Sequence, residues 1–216
     1  MKPIAPSLRR VQIPEEIYRA RFIIALTVTL AAVLELVDTS IVNVAIPHMM
    51  GTLGATLDEI TWVSTGYVVA NVIVLPISSW LANWFGRRNY FALSIMLFVA
   101  ASFLCGNADT LGSLVFWRIV QGLGGGGLIS TAQATLFETF PPEEAGSGMA
   151  IFGLGIMTGP MLGPTLGGYI TDAASWPWIF YINIPLGAIA LLLALMYVPE
   201  QKFGTRAEEV DFGGLL

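Results

Sequence analysis

The chain of 216 residues is 55% hydrophobic and only 12% charged, which excludes an ordinary water-soluble domain, because a fold of this size could not bury so much apolar surface. The formal net charge of −5 carries no information about a nucleic-acid partner, since the acidic residues are spread over loops and both ends. The single cysteine, Cys105, excludes an intramolecular disulfide and fits no metal-ligand spacing.

Six apolar segments follow one another along the chain, and each is predicted to cross a bilayer. About 20 consecutive apolar residues span the hydrocarbon core as a helix. The hydrophobicity is continuous rather than alternating, which favours helices over the strands of a barrel. The sequence therefore predicts an all-α integral membrane protein, with a six-helix transmembrane bundle over residues 22–198. The segments cover residues 22–46, 61–81, 90–106, 111–137, 148–170 and 178–198.

The basic residues indicate how these segments are oriented. With the N-terminus in the cytoplasm, every Lys and Arg outside the membrane lies on the cytoplasmic side, and only Arg118 interrupts a segment. Residues 1–21 are then a cytoplasmic N-terminal segment, and residues 199–216 are a cytoplasmic linker in which a further helix begins. We expect the chain to be the N-terminal half of a longer transporter. The alternative is a natural half-sized protein that must pair to form a pathway.

Three charged residues lie inside the apolar segments: Glu35, Asp38 and Arg118. Each costs about 2.5 to 3.5 kcal/mol to insert, so such residues are candidates for function. From the helical rise per residue, Asp38 lies about 12 Å below the outer end of the first segment, and Arg118 lies about 10 Å below the same side. The two opposite charges are therefore predicted to be level and to pair, either in a proton-linked conformational role or as a purely structural ion pair.

Glu35 lies nearly one turn deeper than Asp38, closer to the membrane midplane, where substrate and coupling-ion sites of secondary transporters tend to lie. No second cation in these segments is available to pair with it. Glu35 is therefore a candidate for proton exchange or for binding a cationic substrate. The alternatives are a hydrogen bond to a neighbouring helix and a partner in a region of the protein beyond this chain.

The fifth segment carries glycines at every fourth position, which places them on one helix face where another helix backbone can approach closely. Prolines between them introduce bends. A packing role and a gating role are equally compatible with this pattern. The motif consists of Gly155, Gly159, Gly163, Gly167 and Gly168 with Pro160 and Pro164.

A second group of glycines, Gly122 and residues 124–127, lies in the fourth segment. A phosphate-binding loop is excluded because no strand precedes the glycines and no Lys followed by Ser or Thr comes after them. We expect close helix packing or local unwinding at this point.

Four stretches carry a family resemblance, in chain order. They are VDTSIVNVAIP at 37–47, RIVQG at 118–122, the residues Gly159, Gly163, Pro164, Gly167 and Gly168 of the fifth segment, and WPWIFYINIP at 176–185. Together they resemble the EmrB/QacA-type drug:proton antiporters of the major facilitator superfamily. The resemblance implies a fourteen-helix protein in which these six helices form the N-terminal bundle of a major facilitator fold. It also implies that Arg118 takes part in proton coupling and that the glycine motif is associated with export.

The loop between the second and third segments departs from the superfamily pattern. Gly86, Arg87 and Arg88 keep the glycine and the basic pair that end the motif. The resemblance thus supports a cytoplasmic loop here but not the charge relay that usually serves gating. The earlier glycine, acidic and basic positions are occupied by Ser79, Asn83 and Trp84.

By resemblance, the intact protein uses the proton gradient to export hydrophobic, often cationic, compounds across the bacterial inner membrane, with no cofactor, metal or nucleic acid. Its partners would be a small-molecule substrate, the proton, the lipid bilayer, the missing C-terminal bundle and, as for some relatives, a periplasmic membrane-fusion adaptor. The alternatives are a facilitator-class exporter of a metabolite or siderophore, an importer, and a non-transporting truncated half-protein. An integral membrane enzyme is disfavoured, because the segments hold no His cluster, Ser-His pair or metal-ligand motif.

Overall fold

The computed structural model describes residues 13–200, and within that range the chain forms helices and no strand. The all-α fold predicted from the sequence is confirmed. The further helix predicted near the end of the chain falls after residue 200, outside the described residues. The helices are α1 (Glu15–Leu53), α2 (Leu57–Ile60), α3 (Trp62–Phe85), α4 (Arg87–Gly106), α5 (Leu111–Gly125), α6 (Leu128–Thr139), α7 (Ala145–Ala173), α8 (Trp178–Tyr181) and α9 (Asn183–Tyr197).

The fourth predicted segment is not one continuous helix, because it is divided into α5 and α6. Glycine is a poor helix former, and Gly126 and Gly127 form the break. The Gly126 N–H donates to the carbonyl oxygen of Gly122 at 3.0 Å, and the Thr131 N–H donates to that of Gly127 at 3.0 Å. Hydrogen bonds of helical spacing therefore flank the break on both sides. Of the two alternatives expected at these glycines, local unwinding is present, so the fourth predicted segment consists of two successive helices. Five helical stretches within residues 13–200 are long and apolar enough to cross a membrane: Glu15–Leu53, Leu57–Phe85, Arg87–Gly106, Ala145–Ala173 and Trp178–Tyr197.

Several helices extend beyond their predicted apolar segments, as α1 illustrates. It begins with Glu15 and Glu16, whose negative charges are favourable at a helix N-terminus. It ends at Gly54, which has a φ of 63° and donates its backbone N–H to the carbonyl oxygen of Met50. Gly86, with a φ of 85°, separates α3 from α4 in the same left-handed region that favours glycine. Polar helix ends therefore project past the apolar stretch from which the boundaries were predicted.

The longest helix, α1, occupies the centre of the bundle. It packs along α7 and also contacts α6 and α9. On the other side of the bundle, α5 packs against both α3 and α4, and α4 also packs against α9. The helices that carry the predicted charged residues, α1 and α5, therefore each pack against at least two others, and the charged side chains lie on their buried faces.

Two apolar clusters fill the interior, one towards each end of the bundle. Along α1 the first cluster ends at Leu34 and the second begins at Ile41. In the fourth crossing, Leu114 belongs to the second cluster and Leu128 to the first. Buried polar residues lie between the two clusters, and we refer to them as the polar layer: Glu35, Asp38, Arg118, Gln121 and Asn183.

Candidate functional site

Asp38 of α1 and Arg118 of α5 form an ion pair inside the bundle. Arg118 Nη1 lies 2.6 Å from Asp38 Oδ2, and both residues are 0% exposed. The contact expected from the two estimated depths is therefore present. A pair buried to this degree recovers its desolvation cost only when its remaining polar atoms also have partners.

Two amide side chains supply such partners. Gln121 Nε2 donates to Asp38 Oδ1 at 3.0 Å, and Asn183 Nδ2 donates to the same oxygen at 2.6 Å. Gln121 Oε1 in turn accepts from Arg118 Nη1 at 2.8 Å. Both oxygens of Asp38 thus have protein donors, from α5 and α9, and the pair is held without a need for water.

These two amides were not predicted from the sequence as site residues. Gln121 lies in the motif at 118–122 and Asn183 in the motif at 176–185, so membership of those motifs was the available signal. Gln121 also lies three residues after Arg118, a spacing that places two side chains on one helix face.

Asn183 extends the network to α4. Its Nδ2 donates to Ser102 Oγ at 2.9 Å, and Ser102 Oγ donates to the backbone oxygen of Phe180 at 2.9 Å. Within residues 13–200, the Oδ1 atom of Asn183 is buried without a hydrogen-bond partner. The surroundings of Asp38 therefore join α1, α4, α5 and the corner between α8 and α9.

Arg118 also contacts two groups of α3 and, at a longer distance, Phe180 of α8, whose ring centroid lies 5.8 Å from the guanidinium carbon. Its Nε donates to the backbone oxygen of Val63 at 3.2 Å. Its guanidinium carbon lies 4.1 Å from the centroid of the Tyr67 ring, a cation–π distance. The positive charge is thus shared among α1, α3 and α5, so a change in any one of these contacts changes the balance of the others.

Glu35 occupies a different environment, although it lies on α1 only three residues before Asp38. It is 5% exposed, and its Oε1 accepts a hydrogen bond of 2.6 Å from Asn71 Nδ2 of α3. Its Oε2 is buried and has no hydrogen-bond partner in the described range of the chain. The predicted alternative of a bond to a neighbouring helix is therefore realised at one oxygen, through a residue that the sequence analysis did not identify.

The glycine face of α7 packs directly on α1. A Cβ added to Gly159 would stand 2.6 Å from Leu36 Cβ, and one added to Gly163 would stand 2.5 Å from Ser40 Cβ. Gly155 and Gly167 face α1 in the same way, towards Thr29 and Ile41. Close packing between these two helices is therefore a property of the structure, while the gating role stays a prediction.

Two members of the predicted motif lie away from this contact. A Cβ added to Gly168 would meet nothing within 4 Å. Pro164 is exposed. Neither residue belongs to the surface that α7 presents to α1.

The loop motif between α3 and α4 is joined by ion pairs to other elements at the same end of the bundle. Arg87 pairs with Glu138 of α6, and Arg88 Nη2 lies 2.8 Å from Glu200 Oε2, just after α9. The positive φ of Gly86 allows the tight passage between α3 and α4 that presents both arginines. The loop is thus connected by ion pairs within the bundle, even though the acidic residue of the superfamily pattern is replaced by Asn83.

The motifs and the helical arrangement agree with the comparison of this sequence with known families. Residues 28–211 match the model of the Major Facilitator Superfamily. The chain belongs to the major facilitator superfamily. Membership confirms that the protein is a multi-pass membrane protein of a transporter family, as the resemblance implied.

Several curated proteins that resemble this chain are named for export or resistance. The multidrug export protein EmrB of Haemophilus influenzae is 39% identical over 197 residues, which cover 91% of this chain and 39% of that protein. EmrB of Escherichia coli K12 is 37% identical, covering 89% of this chain and 38% of that protein. The fatty acid resistance protein FarB of Neisseria gonorrhoeae is 38% identical with the same coverage. The chain therefore spans less than two fifths of the length of these relatives.

Solved structures of the superfamily share the fold. The proton:xylose symporter XylE superposes with a TM-score of 0.76 at 17% identity, covering 84% of this chain and 45% of that chain. The human organic anion transporter MFSD10 superposes with a TM-score of 0.68 at 17% identity, covering 88% of this chain and 49% of that chain. At this level of identity the likeness establishes the arrangement of the helices, about half of a major facilitator transporter.

Proposed function

We propose that the complete protein is a proton-coupled exporter of hydrophobic compounds, including cations, in the bacterial inner membrane. The observation that carries this proposal is the fully buried Asp38–Arg118 pair, which joins two helices in a chain whose curated relatives are named for multidrug export. An ion pair costs too much in a membrane interior to be common without a role. The proton gradient is the proposed energy source.

In this proposal Asp38 carries the coupling proton. Protonation removes the anionic partner of Arg118, and a buried charge that loses its partner destabilises the arrangement by about 3 to 5 kcal/mol. Helices α1 and α5 are then free to adopt a second relative position in which the charge is better satisfied. Deprotonation restores the pair, because Gln121 and Asn183 present donors to the ionised carboxylate. The proton thereby biases an equilibrium between two states.

Glu35 is the proposed contact for a cationic substrate. Its Oε2 has no hydrogen-bond partner among residues 13–200, so it is able to accept a hydrogen bond from a positively charged group. An amphipathic carboxylate is a second candidate cargo, because FarB is named for fatty acid resistance. Such a cargo would be repelled by an ionised Glu35, so the two classes of substrate distinguish its role.

The orientation proposed from the sequence places the N-terminus in the cytoplasm. The clustering of Arg21, Arg87 and Arg88 with acidic partners at one end of the bundle is consistent with a cytoplasmic face. Transport requires a pathway, which we propose is completed by a second, C-terminal bundle. A periplasmic membrane-fusion adaptor is a further proposed partner.

Proton-driven efflux in inverted membrane vesicles tests this function, using the protein expressed from its native gene. Asp38→Asn is expected to abolish efflux of tetraphenylphosphonium while the variant still inserts in the membrane. Asp109→Asn serves as the matched control, because Asp109 is an exposed carboxylate in the loop before α5. Retained efflux in Asp38→Asn overturns the proposed coupling role, and absence of efflux in the unmodified protein favours a non-transporting half-protein.

A further inference from the structure

Tyr67 of α3 lies between the Asp38–Arg118 pair and Glu35, and no step of the proposed mechanism yet uses it. The residue is 2% exposed. The face of its ring covers the Arg118 guanidinium, whose carbon is 4.1 Å from the ring centroid. A single side chain thus contacts the first of the two acidic sites through its ring.

The other end of the same side chain reaches the second site. A Cβ placed on Gly125 of α5 would stand 2.8 Å from the Tyr67 hydroxyl, 3.2 Å from Asn71 Nδ2 and 3.5 Å from Glu35 Oε1. Three polar atoms from α1 and α3 therefore surround one point beside Gly125. The missing side chain at that position leaves the space in which the hydroxyl lies.

Two polar atoms of this group are incompletely bonded. The Tyr67 hydroxyl and Glu35 Oε2 are both buried and make no hydrogen bond of ordinary geometry within residues 13–200. The Tyr67 hydroxyl faces Thr39, whose own hydroxyl donates to the backbone oxygen of Glu35 at 3.0 Å. Buried polar groups in native proteins are normally paired, so a group left unpaired in one state points to a second arrangement in which it is paired.

We propose that Tyr67 is a positioning residue that transmits the state of the Asp38–Arg118 pair to the Glu35 site. This inference rests on the proposed function, in which Asp38 carries the proton and Glu35 binds the cationic substrate. It adds the route by which the first event changes the second.

The contacts of Arg118 supply the physical reason. When Asp38 is neutral, Arg118 retains its bonds to Gln121 and to the Val63 carbonyl and its contact with the Tyr67 ring. The last two partners both belong to α3, and the attraction of a cation to a ring face strengthens where water is excluded. The guanidinium therefore shifts towards α3 and the ring adjusts to it.

A change in the ring moves its hydroxyl, which lies at the opposite end of the side chain. Asn71 follows Tyr67 by four residues on α3, so both side chains lie on one helix face and move together. Asn71 also holds Glu35 Oε1 at 2.6 Å. Neutralising Asp38 thus alters the donor groups that surround the Glu35 carboxyl.

A double-mutant cycle on substrate affinity tests the inference. The dissociation constant of tetraphenylphosphonium is measured for the protein of natural length in lipid nanodiscs, with Asp38→Asn standing for protonated Asp38. We expect Asp38→Asn to change the dissociation constant about fivefold or more, the range of typical allosteric coupling. In a Tyr67→Leu background the same substitution is expected to change it less than about twofold, because the two sites are no longer connected. Equal changes in the two backgrounds overturn the inference.

Further variants separate this role from a purely structural one. Tyr67→Phe keeps the ring on Arg118 and removes only the hydroxyl, so it is expected to lose the coupling between the two sites while retaining thermal stability. If Tyr67→Leu does not fold, the same double-mutant cycle is measured in the Tyr67→Phe background. Tyr169→Leu is the control, since Tyr169 is 74% exposed on α7 and is expected to leave the coupling unchanged. An unchanged affinity in Glu35→Gln contradicts the proposed substrate contact itself. A changed affinity in that variant, together with an additive cycle, contradicts only the role of Tyr67.

Discussion

Asn183, the first residue of α9, donates a hydrogen bond of 2.6 Å to Asp38 of α1, which lies 145 residues earlier in the chain. Arg118 approaches the same carboxylate from α5. Asp38 is therefore held by one charged donor, Arg118, and by two neutral donors, Gln121 and Asn183. Loss of the charged donor leaves the carboxylate with amide partners only, so its orientation need not collapse when the ion pair opens.

Replacing Asn183 with alanine is expected to lower the free energy of unfolding by about 1.5 to 3 kcal/mol, because a hydrogen bond to a charged group is lost inside the bundle. Thermal unfolding of the purified protein in detergent measures the change. Asn107→Ala is the matched control, since Asn107 is exposed and its side chain donates to the backbone oxygen of Phe103 in the preceding turn. A similar loss in both variants would contradict the importance of the Asn183 contact.

Neutralising Arg118 alone is expected to lower the free energy of unfolding more than neutralising both Arg118 and Asp38. Arg118→Gln leaves a buried carboxylate without its cation, at a cost of about 3 to 5 kcal/mol. The double variant with Asp38→Asn removes both charges and is expected to recover some of that loss. Chemical unfolding of the four members of the cycle gives the interaction energy. Losses that simply add would show that the two residues do not act as a pair.

The substitution Glu35→Gln is expected to weaken export of cations selectively. The glutamine keeps an oxygen to accept from Asn71 and removes only the negative charge. Efflux of tetraphenylphosphonium is expected to fall about tenfold, equivalent to about 1.4 kcal/mol, while efflux of neutral triphenylphosphine oxide stays within about twofold. Equal loss for the two compounds would indicate a general proton role for Glu35.

A methyl group on the glycine face of α7 is expected to separate α7 from α1. Gly163→Ala places a carbon 2.5 Å from Ser40 Cβ, and overpacking of this kind typically costs about 1 to 3 kcal/mol. Gly168→Ala in the same helix meets nothing within 4 Å and is the control. Both variants are compared by thermal unfolding and by efflux. Equal stability of the two would mean that α7 can move away from α1 without cost.

The charged residues of the site were predictable from the sequence, because the cost of a charge in an apolar segment makes each one conspicuous. Depth along a helix follows from residue number, so the level placement of Asp38 and Arg118 could be estimated. The glycine face of α7 was predictable for a related reason, since a period of four residues defines one side of a helix whatever its neighbour is.

Neutral partners could not be predicted in this way. Asn71, Tyr67 and Asn183 are of types that occur in many membrane helices, and their roles depend on how each helix is rotated and on which neighbour it meets. The division of the fourth crossing into α5 and α6 was predicted only as one of two alternatives, because the glycines there are compatible with close helix packing as well as with local unwinding. The pairing of Arg87 with Glu138 depends on the path of loops, which composition does not specify.

The position of the polar layer between two apolar clusters has a consequence for the membrane potential. Asp38 and Arg118 are sealed from both ends of the bundle, since one cluster lies on each side of them. In the proposed transport cycle, a proton reaches Asp38 only when the protein on one side of the polar layer opens. The cluster on the other side then still separates the two aqueous phases, across which a charge gains or loses about 2.3 kcal/mol per 100 mV. Opening the two sides in turn would therefore let a proton cross while other ions find no continuous path.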